Sequence, residues 1–232
     1  MREFDDKTTW EGGREDCVYT LAVTEAAGVH EKQRKAMSVH VEKWNVIEVA
    51  RRASEDAISR ANAGVSWADH VLDVAVRGLA DEAQHEGKDT GNSPFEKYFP
   101  EPPSEVIRMG LEAEIERCEA FEVVAKAIPQ SKALAEKHEA VRKAMESGRT
   151  ALKRRRDAYT ASAQSSLEIA MWKEAANATR VSIFVQLQAW GLEHGMDRSY
   201  ADRFFPVKSA GKSKSKSKKT SPPTPPTPVT PQ

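Results

Sequence analysis

One apolar phase, held for more than forty residues, constrains this chain more than any other feature. It runs from Met37 through Val41, Trp44 and Ile47 to Leu72, Val76 and Leu79, stepping by three or four residues throughout. That spacing returns every such side chain to one face of a helix with 3.6 residues per turn. Gly64 sits inside the run, and Ser66 with Asp69 offers a capping box that would start a new helix there. A turn would normally reset the phase, so the reading favours a continuous, bent helix at Gly64 over a hairpin. A second run, from Leu134 through Val141, Met145 and Leu152 to Phe184 and Leu187, behaves in the same way. Gly148 is its ambiguous point, a bend or a turn.

Between the two runs the pattern breaks. GKDTGNSP (87–94) is turn chemistry, and FEKYFPEPP (95–103) sets aromatics beside prolines that hold the chain extended. Ser104 reads as the N-cap of a helix that continues to Ile128, where Pro129 ends it. At the start, residues 1–13 end in EGG and read as a flexible arm. A helical pattern begins at Arg14, passes Cys17, Val18 and Leu21, and weakens at Gly28. The predicted fold is all-α: an elongated antiparallel bundle of long helices over residues 14–206.

Two stretches close on nearly the same stop, FEKYFP (95–100) and ADRFFP (201–206). An order of motifs precedes each: Ala-Asn-Ala, Val-Ser, then Gly-Leu, as in ANAGVS (61–66) and ANATRVS (176–182). The shared order suggests a duplicated helical unit, with halves at 14–100 and 104–206. Phe99 and Phe205 are expected to pack back onto the helices that precede them.

Composition supports helices with narrow apolar stripes, since 39% of residues are hydrophobic and 30% charged. The formal net charge of zero hides an asymmetry. Lys208, Lys212, Lys214, Lys216, Lys218 and Lys219 lie in a tail without Asp or Glu, so residues 1–206 carry 29 basic against 35 acidic side chains. An acidic body therefore precedes a basic tail (207–232), Lys/Ser-rich and then Pro/Thr-rich, whose composition predicts disorder. The most apolar stretch, VSIFVQLQAWGL (181–192), is too short for the roughly 20 residues that span a bilayer. The N-terminus has no apolar run of the kind a secretory signal needs. A soluble, cytoplasmic protein is expected.

Chemistry-bearing constellations are sparse. Glu82 and His85 make one Glu-x-x-His spacing, whereas a di-iron bundle needs two such pairs. The histidines at 30, 40, 70, 85, 138 and 194 are scattered singly, and there is no P-loop, GxGxxG or GxSxG motif. Cys17 and Cys118 are about a hundred residues apart and read as buried free thiols. No cofactor, metal or catalytic residue is expected. Trp44 belongs to the apolar stripe, whereas Trp67 and Trp172 lie off it and are candidates for packing a second helix or a partner.

Two polyanion-binding features remain. Lys153-Arg154-Arg155-Arg156 follows Arg149, and on a helix Arg149, Lys153 and Arg156 share a face. The six tail lysines could bind phosphates without reading sequence. The expected function is a non-enzymatic helical scaffold or protein-interaction module, with an unidentified protein partner or a second copy of the chain. The alternative is a nucleic-acid-associated protein that binds phosphates through the tail and the Arg149–Arg156 turn.

Overall fold

The computed structural model describes residues 1, 3–5, 7–90 and 93–206, with Asp89 and Thr90 as backbone alone. The tail and all six of its lysines lie outside the described residues. The described chain is all-α. It comprises α1 (Trp10–Ala27), α2 (Glu31–Thr90), α3 (Phe95–Tyr98), α4 (Pro103–Ile107), α5 (Leu111–Ala127) and α6 (Lys132–Glu193), then a 3₁₀ turn (Ala201–Phe204).

Gly64 and Gly148 interrupt neither long helix: α2 spans 60 residues and α6 spans 62. The Ser66–Asp69 capping box therefore does not form, and Ser66 is a helix-interior residue. Continuous phase outweighs the local cost of a helical glycine, about 1 kcal/mol relative to Ala.

Two boundaries differ from the sequence reading. The helix expected from Ser104 to Ile128 is two helices, because Gly110 adopts φ 77° between α4 and α5. Only glycine enters that region without strain. Ser104 is consequently not an N-cap, since α4 begins at Pro103. The first helix starts at Trp10 rather than Arg14, capped by the Thr9 side chain, which accepts a 3.0 Å bond from the Gly12 amide. Gly13, read as part of a break, is buried within this helix. Gly28 ends it in the left-handed conformation, φ 70°.

The chain forms two compact units, Met1–Met37 with Ala178–Gln232 and Ser38–Asn177. In the second, Leu72, Val76 and Leu79 of α2 meet Leu134, Val141 and Met145 of α6. Leu111, Ile115 and Phe121 of α5 complete this core. Within this unit the two long helices run antiparallel: Trp172 lies beside His40 and donates its indole N–H to the His40 carbonyl at 2.9 Å. Trp172, placed off the stripe by its sequence position, thus packs the second helix.

In the first unit α1 packs against the 3₁₀ turn. Each Phe-Pro stop follows a single turn of helix and ends in a buried ring: Phe99 is 3% exposed and Phe205 2%. The Phe99 and Phe121 rings meet edge to face at 5.0 Å, and Phe205 meets Phe184 in the same way at 5.6 Å. Phe205 thus packs on the helix that precedes it, whereas Phe99 meets a ring of α5, which follows it.

Candidate functional site

Ala57, Ala61, Gly64 and Ala68 follow one another at i, i+4, i+7 and i+11 on α2, and so share a face. Ser147, Ala151, Arg154 and Ala158 repeat that spacing on α6. Both rows line one groove of about 720 Å³ in the second unit. Its floor is low because its side chains are small. A Cβ built on Gly64 meets nothing within 4 Å. Trp67 forms a wall and is 68% exposed, its ring 5.7 Å from that of His70. Arg60, Arg154 and Asp157 supply the charged lining. Asp157 accepts from the Lys153 ammonium at 2.8 Å, and Arg60 stands 3.8 Å from Asp56 one turn away.

On α6, Arg149, Lys153 and Arg156 keep the i, i+4, i+7 spacing of one face. The Arg149 guanidinium donates to Glu119 of α5 at 2.7 Å, and Lys153 is held by Asp157. Arg156 remains exposed and lines a shallow hollow with Tyr159 and Thr160. Arg155 faces a third hollow beside Asp69, Glu112 and Glu116. Successive residues turn about 100° on a helix, so this run distributes its charge around α6 rather than building one patch. Arg154, Arg155 and Arg156 make no ion pair among the described residues. The structure brings together Trp67, Arg60 and Arg154 in one groove; on the face shared by Arg149, Lys153 and Arg156, the first two are each held by a carboxylate.

Other ionisable groups are buried in the two cores. Glu114, 0% exposed in the first turns of α5, has the Asp73 carboxyl as its hydrogen-bonding neighbour. Burial raises its pKa to about 8, and the neighbouring Asp73 and Asp69 add repulsion. Burial, then Asp69, also raises the Asp73 carboxyl, while Arg77, 3.6 Å away, opposes this. In the first unit Arg180 is 1% exposed and pairs with Asp16 at 3.5 Å. Its guanidinium lies 4.4 Å above the Phe4 ring and 5.5 Å from Phe205. The Asp16 carboxylate and the two aromatic faces are among the groups that hold this buried charge. Nearby, a ring nitrogen of His30 and the Tyr200 hydroxyl share a 2.7 Å hydrogen bond, and burial lowers the His30 pKa.

The two cysteines lie buried as free thiols, each pushed up to about 12 by burial. Neither is a thiolate at neutral pH. Glu82 and His85 remain a pair on the last turns of α2. Among the described residues no group of three or more His, Cys, Asp or Glu is placed to hold a metal ion. No helix there is long and apolar enough to cross a membrane.

The sequence reading missed Arg60, Glu114 and Arg180. Arg180 carried a signal, a lone charge opening the most apolar stretch of the chain. Glu114 carried one too: it stands between Leu111 and Cys118, at spacings that put all three on one face. Arg60 carried none, because its role depends on which part of α6 lies opposite. No protein-family model, curated protein or solved structure matches this chain.

Proposed function

We propose that this protein is a non-enzymatic helical scaffold that docks another protein chain in the groove between α2 and α6 of its second unit. The exposure of Trp67 carries this reading. Covering a Trp removes about 150–250 Å² from water, worth roughly 4–6 kcal/mol before association costs. Trp and Arg together are the residue types that most often anchor protein interfaces. Trp67 has both Arg60 and Arg154 in its groove. The reading places the protein in the cytoplasm, where two buried thiols stay reduced.

A photo-crosslinking residue at position 67 tests this in extracts of the native cell. It should give discrete protein adducts that the same residue at Val123, an exposed position on α5, does not give. Equal labelling from both positions would sink the reading.

A second reading rests on Arg154, Arg155 and Arg156, which lack carboxylate partners among the described residues. With the tail lysines they would hold a polyanion through phosphate contacts. Oligonucleotide anisotropy should then weaken steeply with salt and be indifferent to sequence. No binding at low salt removes this alternative.

A further inference from the structure

The geometry points to a second copy of this chain as the occupant of the Trp67 groove, paired seam to seam about a two-fold axis. The inference rests on the reading of that groove as an interaction surface and names its partner. Three observations favour a like partner.

First, the surface carries both halves of a fit. Trp67 projects from a wall whose floor, Ala57, Ala61 and Gly64, has room for a large ring. In a two-fold pair each copy's knob faces the other's hollow. Second, the rim has both signs. Arg60 and Arg154 stand with Asp157, and with Asp56 one turn before Arg60. A two-fold operation can set the bases of one copy against the acids of the other. The same carboxylates oppose phosphate, which argues against a nucleic acid in this groove.

Third, nothing among the described residues requires Gly64. It has no positive φ and no neighbour within 4 Å of where a Cβ would stand. In a helix interior it is less favourable than Ala. Its use is to let another helix approach closely, as small residues do where helices pack at the short end of 8–10 Å. Two such hairpin seams would pack as a four-helix arrangement.

The groove covers eleven residue steps on each helix, about 16 Å at 1.5 Å per step. Two helix widths of about 10 Å give roughly 300 Å² per copy, below the ~800 Å² per partner of a stable complex. The dimer is therefore a weak, reversible one.

Sedimentation equilibrium of the full chain, from about 1 µM to about 1 mM, tests it. The expected result is a monomer–dimer equilibrium within that range. Trp67→Ala and Gly64→Leu should each raise the dissociation constant at least about tenfold. Gly64→Leu should do so without lowering the melting temperature of the monomer, which separates lost docking from lost folding. The doubly acidic variant Arg60→Glu/Arg154→Glu and the doubly basic variant Asp56→Lys/Asp157→Lys should each self-associate more weakly than wild type. Mixed in equal amounts, they should pair. A monomer at every concentration overturns the inference, as does a dimer indifferent to Trp67→Ala, or a mixture that pairs no better than its components. The crosslink from position 67 in extract is read separately: a different protein captured there while the chain stays monomeric keeps the interaction reading and discards the like partner.

Discussion

Glu114 is a carboxyl kept protonated by its surroundings, and its proton balance sets a pH dependence. In the folded chain it holds its proton to about pH 8, against an ordinary value of 4.5. Between those values the unfolded chain binds fewer protons, so stability falls as pH rises through that window. The full contribution is present below about pH 4.5 and is gone above about 8. Glu114→Gln keeps the shape and removes the titration. Urea unfolding at pH 5 and pH 8 should show the variant gaining about 2–4 kcal/mol on the wild type between the two. Parallel changes in both proteins would show that Glu114 does not titrate in this range. The residue scale was only partly legible in the sequence. Buried rings announce themselves by their place on a stripe, as Trp44 and Phe121 do. A buried carboxyl is different: spacing puts Glu114 on the apolar face with Leu111 and Cys118, but its residue type argues for the surface. Trp67 was legible as off the stripe, but its exposure depends on which helices stop short of covering it.

Two helical glycines in the long elements have opposite surroundings. A Cβ at Gly64 enters open space, whereas one at Gly148 comes within 2.8 Å of the Ile115 Cδ1 and 3.0 Å of the Leu111 Cδ1. Gly64→Ala should therefore stabilise by up to about 1 kcal/mol through helix propensity. Gly148→Leu should destabilise by about 1–3 kcal/mol, because α5 must move to admit it. Chemical denaturation of the pair checks both signs; a loss on Gly64→Ala or a gain on Gly148→Leu would contradict the packing described. At this scale the sequence was most informative where one signal persisted. Forty residues of unbroken phase overrode a glycine and a capping box, and α2 follows the phase. It was least informative where one residue decided the outcome. Gly110 divides a helix that Ser104 and the apolar spacing had joined, and Thr9 starts a helix ahead of the glycines that seemed to preclude one.

At the scale of the molecule, each compact unit has its own buried ionisable group: the Asp16–Arg180 pair in one, the protonated Glu114 beside Asp73 in the other. Asp16 lies 3.5 Å from the buried Arg180 guanidinium, so removing its carboxylate weakens the core of that unit first. Asp16→Ala should accordingly speed amide exchange through residues 10–27 and 178–205. The α2 core around Leu72 and Leu79 should exchange at its wild-type rate below the global unfolding limit. Uniform acceleration along the chain would show that the units open together. Helical content and the absence of catalytic motifs could be read from composition and spacing. The make-up of each unit could not, because it joins the first residues of the chain to residues near position 200, and periodicity carries no information about such distant pairs.

The bond from the Trp172 indole to the His40 carbonyl closes a gap of 132 residues. At synthesis rates of about 5–20 residues per second, His40 is made roughly 7–26 s before Trp172. For that interval the start of α2, with Trp44 and Ile47, waits without the segment of α6 that carries Trp172, whereas Leu72 and Leu79 can already meet α5. The nascent chain is therefore a client for whatever shields apolar helices at the ribosome exit, and its folding is timed by translation of α6 rather than by any step within α2.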